Sequence, residues 1–363
     1  MKHKNVIIVG GGLAGLYAAF LLEQQHIPYL LLEAKPKLGG RILGAQSKQN
    51  PDHYFDLGPT WIFPHQKKIQ RLVKQLGISL FEHYASGDVL YQTSEHQPLR
   101  RIKGAGDMQL FKIQGGSQSL VSALQNTLDH NNLHLNHVLT NIEKQANSWQ
   151  LSATHNGIEQ TFSADELMLA MPPRIIAQYL TNKKWVSKGL LTRLQQSQTW
   201  MAGQAKFVAT YGKPFWRDQG LSGQIFSQIG PMGEIHDAAT DTHQNSASFG
   251  LFGFIGWPIS RRQQMTEQQL KEACLAQLVS CYGPEANDFI ACYFKDWATD
   301  PFICTANDRL EASRHPEFIL SNHLQELAAL QLHFIGSEFA SIDPGYLEGA
   351  IDAVDQSASL LNI

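Results

Sequence analysis

Val6-Ile7-Ile8-Val9-Gly10-Gly11-Gly12-Leu13-Ala14-Gly15, followed by Tyr29-Leu30-Leu31-Leu32 and then Glu33, is the stretch that decides the fold. A short apolar strand delivers the chain to Gly10, where glycine permits a tight turn. Gly12 leaves the backbone bare enough to approach a pyrophosphate, and Gly15 lets the next helix pack closely on the sheet. The pyrophosphate then sits on free N–H groups at the helix N-terminus. Leu16, Phe20 and Leu21 recur at helical spacing, and no proline interrupts before Pro28. Glu33 stands where an acidic side chain accepts hydrogen bonds from a ribose. A glycine turn alone fits any α/β protein; strand, turn, helix, strand and acid in this order predict a dinucleotide-binding unit.

Lys2 and Lys4 ahead of an apolar run also resemble the start of a secretory signal. Three adjacent glycines inside that run, and Glu33 after it, fit the nucleotide motif better, so the N-terminus is read as mature and folded.

At 363 residues the chain suits two domains. A hydrophobic fraction of 43% and a net charge of -3 describe a soluble globular protein with no global attraction to nucleic acid or anionic membrane. No uninterrupted apolar run reaches the roughly 18 residues of a membrane helix; Phe249 to Ile259 is broken by Gly250, Gly253, Gly256 and Pro258. Cys274, Cys281, Cys292 and Cys304 form no CxxC pair, so reduced thiols in a cytoplasmic protein are expected. The 15 histidines include no HExxH and read as surface residues rather than metal ligands.

Helices are expected around Ile69, Leu72, Val73 and Leu76, around Leu120, Val121, Leu124 and Leu128, and from Leu270 to Val279. Short alternating stretches from His134 to Phe162, turning at Asn156-Gly157, predict an antiparallel meander, followed by a separate buried strand Leu167-Met168-Leu169-Ala170. Leu332-His333-Phe334-Ile335 returns to the texture of the first residues. One domain interrupted by another explains this order better than two in series.

Several segments carry a resemblance to the flavin-containing monoamine oxidase family, in order along most of the chain. Glu33-Ala34 leading to Gly39-Gly40-Arg41-Ile42 resembles its second flavin element, where the arginine approaches the pyrophosphate. Asp56-Leu57-Gly58-Pro59-Thr60-Trp61 resembles the stretch whose backbone lies along the isoalloxazine ring. Gly115-Gly116-Ser117 resembles the re-entry into the flavin domain, and Val138 falls where a backbone group meets the adenine. Gly336-Ser337-Glu338 with Gly345-Tyr346-Leu347-Glu348-Gly349-Ala350 is the most specific element.

The resemblance implies an α/β fold, an FAD-binding Rossmann-like domain of the glutathione-reductase type interrupted by a smaller α+β substrate domain. Its boundaries would be 1–78, 114–187 and 299–363 for FAD, and 79–113 and 188–298 for substrate. FAD is expected, bound without a covalent link. Lys206, ten residues before the tryptophan of Pro214-Phe215-Trp216, is similar to the family's flavin-facing lysine, which holds a water against N5; read alone, it is a strand lysine reaching solvent. Lys206 at period two with Val208 and Thr210 suits either reading. Tyr346 aligns with one aromatic of the substrate cage, and Trp297 with the flavin-flanking tryptophan.

The chain departs from the pattern after Trp297, where no Cys-Tyr pair follows; Phe302 is the candidate for the missing aromatic. Cys304 lies near the position of a covalent flavin link, but its spacing from Trp297 is shorter and the flanking glycines are absent, so a buried, unreactive thiol is expected. Little chain separates Ile78 from Gln114, which predicts an open entrance admitting a bulky or carrier-tethered amine. Specificity is expected in pocket residues between Met201 and Phe254.

These implications add up to oxidation of an amine C–N bond to an imine, with O2 reduced to H2O2. The expected partners are a small-molecule amine and O2, without nucleic acid or membrane, and a homodimer is allowed. The alternatives are a desaturase or dehydrogenase acting on a C–C bond or carrier-tethered substrate with a non-oxygen acceptor, and a non-catalytic flavoprotein.

Overall fold

The first strand, Lys2–Val9, runs parallel between Tyr29–Leu32 on one side and Ile158–Leu169 on the other. Its side chains alternate between two cores, as a strand buried on both faces requires. Val6 and Ile8 pack with Leu16, Phe20, Leu120 and Ile351, while Ile7 and Val9 pack with Ile176, Leu190, Phe334 and Phe339. In the computed structural model the described residues are 2–94, 96–104, 109–242, 248–317 and 319–361. Residues 243–247, within the stretch expected to set specificity, lie outside them, as does the chain end at residues 362–363.

The first sheet has the order Val138–Lys144, Trp149–His155, Ile158–Leu169, Lys2–Val9, Tyr29–Leu32, Leu133–His134, and Leu332–Phe334 also pairs with Ile158–Leu169. The expected meander is present. The expected break between Phe162 and Leu167 is not: Ile158–Leu169 is one 12-residue strand. No glycine or proline lies within it, and its first half pairs antiparallel with Trp149–His155 while its second half joins the parallel sheet. Leu332–Phe334, parallel to Leu167–Leu169, brings the end of the chain to its beginning.

The second sheet has the order Phe289–Asp296, Ala205–Tyr211, Phe249–Ile255, Met232–Asp237, Leu221–Ser227, Asp88–Gln92, Arg100–Ile102. One face carries Phe207, Ala209, Tyr211, Ile235 and Leu251 against Cys274 and Leu278 of the helix Glu267–Tyr282. Thr266 and Gln269 start that helix with a reciprocal capping box. The other face carries Val208, Phe252 and Phe254 toward Phe55, Leu57 and Trp61. Lys206, one pleat from Val208, belongs to this face. Among the described residues no helix is long and apolar enough to cross a membrane.

Candidate active site

A cavity of about 770 Å³ is lined from both sheets. The glycine turn forms one end. Gly10 has φ 108, a conformation that favours glycine, and a Cβ on Gly15 would stand 1.9 Å from the Gly10 carbonyl oxygen. The helix Leu13–Gln24 can therefore start hard against the turn. Its N-cap, Gly12, offers no side-chain acceptor to the first-turn amides, and Gly12, Leu13 and Ala14 line the cavity.

Glu33 reaches into the same end, with Ala34 beside it. Its carboxylate accepts from Gly11 N at 2.6 Å and Lys35 N at 2.8 Å. Burial nevertheless pushes its pKa up. Gly40 and Arg41 follow on the wall. The Arg41 guanidinium grips the Glu338 carboxylate with two bonds, at 2.6 and 2.9 Å, and donates to Ser337 Oγ at 2.9 Å. Glu338 is fully buried; burial works against its charge, but Arg41 holds its pKa below the ordinary value. Gly336, Ser337, Tyr346 and Leu347 continue the wall to the start of the last helix, Leu347–Leu361. Gly15 and Glu338 support the wall from behind. Val138 is not on it either; its neighbours His137 and Leu139 are.

Gly58, Pro59, Thr60 and Trp61 form the middle of the cavity. Trp297 Nε1 donates to the Leu57 carbonyl at 2.9 Å and so ties the two segments together. Lys206 is 2% exposed, and Nζ donates to Gly58 O at 3.0 Å and to Thr60 Oγ1. Its ammonium also lies 4.1 Å from the Phe252 ring centroid. Burial pushes the Lys206 amine down to about 7, while buried Asp56 pulls it up and Lys112 pulls it down further. The solvent-reaching reading of this lysine is therefore overturned: the strand buries it at the cavity wall.

The Tyr346 ring meets Phe63 at 5.8 Å, Trp200 at 6.1 Å and His315 at 5.4 Å between centroids. Phe302 lines the cavity but makes no ring contact with Tyr346 among the described residues. Cys304 is buried beside Trp297 and Ile303, off the cavity wall, and burial pushes its thiol up to about 11. Such a thiol carries almost no nucleophilic thiolate at neutral pH. Acid precipitation of the holoprotein should leave the yellow flavin in the supernatant; flavin retained in the pellet would show a covalent bond.

The wall fits a dinucleotide carrying a flavin. Bare helix amides and Glu33 suit the pyrophosphate and ribose, and the long wall from Gly10 to Trp297 spans both sheets. Trp61 Nε1 is a buried donor on this wall with no acceptor among the described residues. A bound ring with exposed acceptors would satisfy it.

Residues 79–361 match the family described as flavin containing amine oxidoreductase. The chain belongs to that family. Residues 8–76 match the NAD(P)-binding Rossmann-like domain. A probable flavin-containing monoamine oxidase A of Dictyostelium discoideum is 22% identical over 96% of this chain and 95% of its own length. An amine oxidase of Oncorhynchus mykiss is 36% identical over a local stretch, 23% of this chain and 17% of that one. Among solved structures, a redesigned putrescine oxidase superposes with a TM-score of 0.78 at 18% identity, over all of both chains. Cyclohexylamine oxidase from Brevibacterium oxydans gives 0.79 at 17% identity over 99% of both. These two likenesses establish the shared fold. The protein is an FAD-dependent oxidoreductase that acts on amines.

Several wall residues carry no motif. Trp200 reaches Tyr346 because Gly345, at φ 88, has no side chain to stand in its way; a Cβ there would meet the indole at 2.7 Å. Phe254 is directly opposite Lys206 across two strands, and Glu234 is directly opposite Phe254. Period-two alternation in each strand could have placed them on one face, but only once the pairing register was known.

Proposed function

We propose that this protein oxidises the C–N bond of an amine to an imine and returns the electrons to O2 as H2O2. The observation that carries the proposal is Lys206, a buried cation aimed at the same wall as Gly58, Thr60 and Trp61. The sheet built on Lys2–Val9 is proposed as the FAD domain and the sheet built on Ala205–Tyr211 as the substrate domain, with the boundaries expected above. FAD, when bound, supplies the hydride acceptor for the amine α-carbon and the electrons for oxygen.

The chain's own residues supply position and field. Gly10, Gly12, Leu13, Ala14 and Glu33 hold the nucleotide end, Gly15 makes room for the turn, and Arg41, fixed by Ser337 and Glu338, answers the phosphate charge. Tyr346, Trp200 and Phe63 form an aromatic wall that excludes water and favours the neutral amine, whose lone pair drives hydride loss. Trp297 fixes the Leu57–Trp61 segment from the far side. Lys206 holds a proton on Nζ beside Thr60 Oγ1, where it stabilises negative charge developing on oxygen in a dry site.

The desaturase reading keeps the cofactor but has no use for a cation at the oxygen-reducing face. An oxygen electrode with a peroxide assay tests the choice. One peroxide per amine consumed is expected; turnover that proceeds only with an added quinone or dye acceptor overturns the oxidase reading.

A further inference from the structure

Lys112, on the short strand Phe111–Ile113, is a second lysine that the fold buries, at 4% exposed. Its ammonium carries three donors, and among the described residues Ala239 O is the acceptor it reaches, at 2.5 Å. The Phe81 ring lies 5.6 Å away by its centroid. Leaving the remaining donors of a buried cation unmet is costly. Lys112 lines a second, much smaller cavity of about 10 Å³, shared with Asp56, Thr60 and Phe252. That is room for one water, and a carboxylate, an ammonium and a hydroxyl supply the polar partners such a water needs.

Two of these residues touch Lys206. Thr60 Oγ1 accepts from its Nζ, and the Phe252 ring lies 4.1 Å from its ammonium by centroid. Thr60 lines both cavities, the large one with Lys206 and the small one with Lys112 and Asp56. Asp56 is fixed by Ser117 N, which donates to its Oδ1 at 2.7 Å. Burial pushes the Lys112 amine down to about 8, while Asp237 and Asp56 pull it up and Arg217 pulls it down. His83 and His236 also feel the Lys112 charge, and burial keeps both neutral. Lys112, like Lys206, can therefore lose and regain a proton near neutral pH.

We propose that a water in the small cavity joins Asp56, Lys112 and Thr60 into a proton relay that recharges Lys206 from behind while oxygen is reduced. This rests on the oxidase reading and extends it. Turning O2 into H2O2 takes two electrons and two protons. Both electrons and one proton arrive from the amine as hydride; the second proton is delivered to oxygen separately. Lys206 gives that proton from Nζ, and alone it would lose the cation that the same step needs. In the relay the Thr60 hydroxyl proton passes to Lys206, a proton of the water passes to Thr60, and a Lys112 proton passes to the water. Lys206 ends the step as it began, and Lys112 recovers its proton from solvent before the next turnover. Asp56 orients the water and offsets the charge of the two lysines.

The test joins a crystal structure of the holoprotein to stopped-flow reoxidation of Lys112→Met, Thr60→Val and Thr60→Ser, at a pH where Lys206 starts as a cation. The crystal structure should show one water within hydrogen-bond distance of Asp56, Lys112 and Thr60. In Lys112→Met and Thr60→Val reoxidation should slow roughly 10- to 100-fold, no more than a positioned proton donor contributes. Thr60→Ser, which keeps the hydroxyl, should recover most of the rate that Thr60→Val loses. As D2O replaces water, the wild-type rate should fall along a curve, because several protons move together, and the Thr60→Val rate along a straight line. If Lys112 acted only as a like charge, its removal would strengthen the Lys206 cation. A Lys112→Met protein that is reoxidised as fast as wild type or faster therefore overturns the proposal, and so does a dry cavity. Either result leaves the oxidase reading standing as long as the wild type makes peroxide; a reduced flavin that O2 does not reoxidise overturns both.

Discussion

Lys206→Met should slow reoxidation of the reduced flavin by O2 by about 100-fold or more, the cost of deleting one preorganised charge-stabilising group. Flavin reduction by amine should change by no more than a few-fold, because the negative charge that hydride transfer would place on the reduced flavin would be spread over its ring, whereas oxygen reduction would concentrate charge on a small molecule that needs a local cation. Stopped-flow measurement of the two half-reactions separates them, and equal slowing of both would remove Lys206 from the oxygen step. A pH dependence follows. Burial has moved the Lys206 amine down to about 7, so the cation is present below that pH and lost above it. Reoxidation in wild type should therefore fall as pH rises through about 7, and the dependence should vanish in Lys206→Met. Buried Asp56 pulls Lys206 toward its charged form. Asp56→Asn should move the fall to lower pH.

Gly15→Ala should yield a colourless protein. The added Cβ would lie 1.9 Å from the Gly10 carbonyl oxygen and 3.4 Å from the Ala170 Cβ, both on the rigid floor of the nucleotide turn. Neither neighbour is a flexible side-chain end that can swing away. The first helix must lift from the sheet, and its N-terminal amides move away from where a pyrophosphate would sit. Overpacking of this kind costs about 1–3 kcal/mol in stability, so the protein should still fold with a lower melting temperature. The visible flavin absorbance per protein after purification measures the loss, and a fully yellow Gly15→Ala would refute this role for the turn.

The first sheet was readable because its strands are punctuated. Val6–Val9 and Tyr29–Leu32 end in glycine or an acid, and Asn156-Gly157 marks a true turn, with both residues at positive φ. Ile158–Leu169 misled because one strand changes both partner and pairing sense midway without any turn residue to announce it. At the site, residues bound to a backbone task were legible: Gly15 has no room for a side chain, and the Gly336–Glu338 segment must meet Arg41. Trp200, Phe63 and Glu234 carried no such mark. Their places depend on strand register and on the packing of the segment before Ala205, which only the folded chain fixes. Phe302 shows the reverse case, since it reaches the cavity as expected yet leaves Tyr346 to other rings.

The most direct test of the account is anaerobic mixing of the yellow holoprotein with amines, followed by air. The account predicts bleaching of the flavin at a rate that rises with amine concentration, release of the carbonyl product of imine hydrolysis, and one peroxide per bleached flavin when oxygen returns. Flavin that stays yellow with every amine, while a C–C substrate bleaches it, would contradict the central claim.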